Sequence, residues 1–170
     1  MMDEIREELN CLAMAFWCGA GNPDELARWA DAVVLATDEL HPLIWELYPL
    51  PAPDLAEGLL LTMAADLNGF RPASVEAEPV AAEVLRRSLN AFTARDISVQ
   101  ALCRLVDRLD ILFNVEMASV PRPQRLVADG QGWLGDLYSC CDWCDDSWTH
   151  ETSAHLHDEA VRLSRLLGSK

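Results

Sequence analysis

Apolar residues recur at helical spacing along almost the whole chain. Ile5, Leu9, Leu12, Ala13 and Phe16 stand at i, i+4, i+7, i+8 and i+11, one face of an amphipathic helix that Gly19 and Gly21 stop. Asn22-Pro23-Asp24-Glu25 then reads as a helix start, with Asn22 as N-cap, Pro23 at the first helical position and Glu25 placed for a capping box. The helix it opens turns Leu26, Trp29, Ala30 and Val33 inward and Asp24, Arg28, Asp31 and Asp38 outward. Leu43, Ile44, Trp45, Leu47 and Tyr48 form a short apolar turn after Pro42, and Pro49 to Pro53 make a stiff extended connector. Asp54 is expected to cap a third helix with the stripe Leu55, Leu59, Leu60, Met63 and Leu67, ended by Asn68-Gly69.

Beyond a weak stretch between Pro72 and Pro79, the stripe Val80, Val84, Leu85, Leu89, Phe92 resumes the pattern. Ser98 begins the clearest helix, with Leu102, Leu105, Val106, Leu109, Leu112 and Phe113 inside and Arg104, Asp107 and Arg108 outside. Leu126, Trp133, Leu134, Leu137 and Cys141 keep helical spacing but are interrupted by Gly130, Gly132 and Gly135, which predicts either one loose helix or a turn followed by a helix. A last helix from about Ser153 carries Leu156, Ala160, Val161, Leu163, Leu166 and Leu167. No strand-like alternation exceeds four residues. The pattern predicts an all-α fold, a single compact multi-helix bundle of about seven helices over 1–170, with a soft division near 70–79 at the Gly69-Phe70-Arg71-Pro72 turn.

Charge changes this picture from a generic bundle to an asymmetric one. The net charge is −15, and residues 1–70 hold thirteen acids against two bases, residues 71–125 seven against eight, and residues 126–170 eight against three. With no basic stripe to replace phosphate counterions, nucleic acid is excluded as a partner, and anionic membrane surfaces are disfavoured for the same reason. The longest uncharged run, Leu9 to Pro23, is too short to span about 30 Å of hydrocarbon, and it follows an acidic segment, not the basic one of a secretory signal. The expected setting is the cytoplasm, where the six cysteines stay reduced.

Cys140-Cys141-Asp142-Trp143-Cys144, followed by His150, His155 and His157, is the one cluster with metal-ligand character. Thiolate and imidazole are zinc's preferred ligands, and the set to test is Cys141, Cys144, His150 and His155. His155 and His157 point about 200° apart on a helix and cannot chelate together. His150-Glu151 and His155 resemble a zincin motif, but their i, i+5 spacing rotates the second imidazole off the shared face. A redox role for Cys141 and Cys144 is weak because Asp136, Asp142, Asp145 and Asp146 oppose thiolate formation. As small hydrophobes, the same cysteines would simply pack. No phosphate-binding glycine loop, nucleophile elbow or dinucleotide fingerprint is present, so the expectation is a non-enzymatic protein without a required cofactor.

The tryptophans fall at the two ends, Trp17, Trp29 and Trp45 early and Trp133, Trp143 and Trp148 late. Shared aromatic core is the plain reading, while Trp45, Trp143 and Trp148, in or beside turns, also suit interface anchors. Acidity at one end, a helical scaffold and the lack of catalytic motifs together point to a module that binds a basic protein partner, of immunity-like or antitoxin-like type. Asp24, Asp31, Asp38, Glu39, Trp45 and Glu46 are its expected contact residues. The alternatives are a helical metal-binding protein, and a subunit of a larger assembly or homo-oligomer. In that last case the first helix, apolar nearly all round through Cys11, Met14, Trp17 and Cys18, would form an interface.

Overall fold

The computed structural model describes residues 2–48, 50–111 and 135–168. Among them the chain is all-α, with seven α-helices, two short 3-10 helices and no strand. The helices are α1 (Met2–Trp17), α2 (Pro23–Ala36), α3 (Pro53–Asn68), α4 (Glu78–Thr93), α5 (Val99–Asp110), α6 (Gly135–Cys141) and α7 (Ala154–Gly168). They divide into two compact units, Met1–Val80 and Ala81–Lys170, so the boundary falls one residue past the 70–79 stretch and within the first turn of α4. No helix among the described residues is long and apolar enough to cross a membrane.

In the first unit α1 packs against α3 and α2. Leu9, Leu12, Ala13 and Phe16 are buried, and so are Cys11, Met14 and Cys18, so the all-round apolar sequence of α1 is matched by all-round burial. On α3 the buried arc is Ala56, Leu59, Leu60, Met63 and Ala64, where alanines admit close helix approach. Leu55 and Leu67, expected on this stripe, are 55% and 41% exposed. Leu55 lies roughly 100° off the arc's centre, and Leu67 sits on the last turn of α3. Val33 of α2 is half-buried rather than buried.

The caps follow local chemistry. Asn22 Oδ1 accepts from the Asp24 amide at 2.9 Å, one residue earlier than a capping box would have it. Asp54 does not cap α3. Ala52 takes that place without a side-chain bond, and Pro53 occupies the first position, where no amide donor is needed. Gly69 ends α3 at φ 65°, a left-handed conformation that favours glycine, while its amide and that of Phe70 return to Ala65 and Ala64. Asn68 Nδ2 donates to Arg6 O (2.9 Å) and Asn10 Oδ1 (2.7 Å), tying the end of α3 to α1. Trp29 is buried and its indole N–H donates to Ile5 O at 3.0 Å. Gly21 is required sterically, because a Cβ there would run into the Phe16 ring.

In the second unit α5 packs on α6, and α6 on α7. Val99, Leu102, Cys103, Leu105, Val106 and Leu109 form the buried face of α5, capped by Ser98 Oγ accepting from the Ala101 amide. The expected inward residues Leu112 and Phe113, and the Leu126, Trp133 and Leu134 positions of the next stripe, lie outside the described residues. Leu156, Ala160 and Leu163 bury α7, and Leu166 is 45% exposed near its end. Phe92 of α4, fully buried, stacks on His150 with centroids 4.6 Å apart.

Candidate functional site

Two places bring together residues with chemistry to offer, one in each unit. In the first unit, the 3-10 turn Pro42–Leu47 is pinned from both sides. Its cap His41 accepts from the Leu43 amide through Nδ1, which leaves the proton on Nε2, facing Asp66 Oδ2 at 3.4 Å on α3. Ile44 and Leu47 point inward and are buried, which forces the intervening Trp45 and Glu46 outward. Trp45 is 58% exposed, and Tyr48 lies beside it, ring centroids 6.4 Å apart and tilted by 44°. The Tyr48 hydroxyl donates to Asp31 Oδ1 at 2.7 Å, so the aromatic pair is fastened to α2. Burial, that hydrogen bond and the Asp31 charge push the Tyr48 phenol up to about 12. Leu35, one turn beyond Asp31 on the same helix face, is 87% exposed.

All six residues expected to contact a partner, Asp24, Asp31, Asp38, Glu39, Trp45 and Glu46, are exposed. Asp31 and Trp45 are brought together through Tyr48, Glu46 follows Trp45 in the same turn, and Asp38 and Glu39 lie in the α2-to-3-10 connection. Asp24 stands at the opposite end of α2, about two turns from Asp31. Among the described residues none of these five carboxylates has an ion-pair partner. Tyr48 and Leu35 were not among the expected contacts. Tyr48 counted as part of an apolar turn, and an exposed leucine near a helix end has no local signature.

In the second unit, three thiols line one pocket of about 310 Å³. Cys103 comes from α5, Cys141 is the last residue of α6, and Cys144 follows in a turn closed by its amide to Cys141 O at 2.9 Å. Cys144 Sγ lies 4.0 Å from Asp145 O. The neighbouring Cys141 thiol and then burial push the Cys103 thiol up. Burial, followed by the contact with Cys103 and the Asp145 charge, pushes Cys144 up to about 12 despite the opposing pull of Arg104. Gln100, one turn before Cys103, donates to Asp145 O (3.0 Å) and Trp148 O (2.9 Å), fixing the loop after α6 against α5. Asp107, Asp142, Asp145 and Asp146 complete the rim with Tyr138, whose phenol is pushed up chiefly by the Asp142 charge.

The histidines expected beside Cys141 and Cys144 line other surroundings. His150 Nε2 bonds Ile97 O at 2.9 Å and the ring stacks on Phe92, while His155 sits edge-on to Trp148 at 5.4 Å. Neither lines the thiol pocket. Cys103 was absent from the expected ligands because it sits in the α5 stripe, thirty-eight positions from Cys141, where it reads as one more small apolar residue. Among the described residues no group of three His, Cys, Asp or Glu is arranged to hold a metal ion. Of the other expected anchors, Trp143 is 81% exposed and Trp148 half-buried.

No known family, curated protein or solved structure matches this chain.

Proposed function

We propose that the protein is a non-enzymatic binding module whose first unit docks a basic protein, with Trp45 as the aromatic anchor. The observation that carries this reading is the exposed Trp45–Tyr48 pair, fastened to Asp31 and near carboxylates that have no ion-pair partner among the described residues. Unpaired surface acids steer a basic partner at long range and raise its on-rate. A large exposed indole beside Tyr48 then supplies the short-range energy. Neutralisation of a basic toxin in the cytoplasm, as immunity-like and antitoxin-like proteins do, is the most concrete form of this activity.

The test is capture from a host lysate at low salt, run in parallel with the parent chain, Trp45→Ala and Glu46→Lys. Basic proteins retained by the parent and released by moderate salt or by either substitution are the expected result. A retained set that is not basic, or retention indifferent to both substitutions, overturns it.

A further inference from the structure

Another pocket, of about 350 Å³, lies wholly within the first unit, and none of its lining residues belongs to the docking surface. Two linked turns bring charged residues to it. The Ser74 amide donates to Arg71 O at 3.1 Å, and the Ala77 amide donates to Ser74 O at 3.1 Å, closing the 3-10 turn Val75–Ala77 around Glu76. Arg71 and Glu76 both line the pocket, yet among the described residues neither has an ion-pair partner, the other included. Opposite charges that share a pocket without closing on each other are both left for a third molecule. Asn68 donates its amide hydrogens to Arg6 O and Asn10 Oδ1, which leaves Asn68 Oδ1 and the Asn10 amide nitrogen without a bond among the described residues. Both amides line the same pocket, so one acceptor and one donor are added to the two charges. Phe70 and Val80 supply apolar wall.

We propose that this pocket binds a small zwitterion of the amino-acid class, its carboxylate on Arg71 and its ammonium on Glu76. Net charge decides the class. A simple anion enters against the field of an acidic unit, and a simple cation meets the Arg71 guanidinium. A ligand that carries both charges sets each against its opposite and presents no net charge for the field to oppose. The planar guanidinium offers a two-pronged donor matched to a carboxylate, while the Glu76 carboxylate and the Asn68 amide oxygen accept from an ammonium. Phe70 and Val80 suit an apolar side chain on the same ligand. The volume falls at the small end of the range for small-molecule sites, which fits a single amino acid better than a cofactor.

L-leucine is the probe, titrated into the isotope-labelled full chain while backbone amide resonances are followed by NMR. The expected result is one saturable site, with the shifts centred on Asn10 and on residues 68–80. N-acetyl-leucine lacks the ammonium and leucinamide lacks the carboxylate, and each binds about tenfold more weakly, the loss expected for one charge-assisted hydrogen bond. Arg71→Gln and Glu76→Gln each weaken leucine binding by about the same factor. Arg28→Gln removes the same charge elsewhere in the unit and binds as the parent does, which separates a local contact from the general field. Unchanged amide dispersion in the unliganded variants checks that they are folded. No saturation by about 10 mM leucine, a concentration that reaches even a weak site, overturns the assignment. So does equal binding of either blocked form, or unchanged binding in Arg71→Gln.

Discussion

The first unit carries fifteen acidic and three basic residues, the second thirteen and ten, and the two treat these charges differently. In the second unit four arginines make ion pairs within the fold. Arg86 and Arg87 both hold Glu83, Arg162 holds Glu159, and Arg95 holds Glu151 at 2.8 Å. In the first unit the carboxylates between Asp24 and Glu46 have no such partner among the described residues. Exposed ion pairs contribute little to stability, about 0–1 kcal/mol each. The contrast therefore bears on the surface field: four arginines of the second unit are held in ion pairs, whereas the carboxylates between Asp24 and Glu46 leave their field uncompensated among the described residues.

If both units owe their stability to apolar packing and not to charge, core truncation should cost both of them dearly. Phe92→Ala in the second unit is expected to lose about 3–5 kcal/mol and Met63→Ala in the first about 2–5 kcal/mol, both residues being fully buried. Urea unfolding measures both losses, and a cost under about 1 kcal/mol in either would break the equivalence.

A smaller effect separates the two exposed tryptophans. Trp45→Ala should weaken partner binding by about 2 kcal/mol, or roughly 30-fold, while Trp143→Ala, in the second unit, should leave it unchanged. Calorimetry with the captured partner measures both. Equal losses would mean that the docking surface is not confined to the first unit.

The two tyrosines sharpen the comparison further. Burial and a hydrogen bond hold the Tyr48 phenol up to about 12, whereas Tyr138 is raised chiefly by the through-space charge of Asp142. Added salt screens the second cause far more than the first. Tyrosinate absorbance should show Tyr138 titrating earlier in high salt while Tyr48 hardly moves, and Asp31→Asn should bring Tyr48 down. A raised folded pKa favours the protonated form in the fold. Its stabilising share is full below the ordinary value of 10.0 and is lost as pH rises through about 12. Asp31→Asn should therefore flatten the alkaline limb of the stability profile.

Smallest of all is the acid limb contributed by Glu83. Hydrogen bonding to Arg86 first, with Arg87 adding to it against a burial penalty, brings this carboxyl from 4.5 down to about 2. Its stabilising share is present above 4.5 and disappears as pH falls towards 2. Glu83→Gln should thus remove a modest part of the stability loss between those values in thermal melts.

The helices, their stops and the lopsided charge were all legible in the amino-acid order. The reason is that periodicity, the Asn22 and Ser98 caps and the Asn68-Gly69 stop act within a turn or two of the chain. Exposure at element edges was less legible, as Leu55 and Leu67 show, because it depends on what a neighbouring helix covers. The two candidate sites required the tertiary structure. Tyr48 meets Asp31 across seventeen positions only because His41 and the buried Ile44 and Leu47 fix the turn between them. Cys103 reaches Cys141 and Cys144 only because α5 packs on α6 and Gln100 holds the following loop in place. Local spacing determines which face of a helix a side chain joins. Which faces then meet is decided by the packing of apolar surface between segments far apart in the chain, and no short window of sequence contains that information.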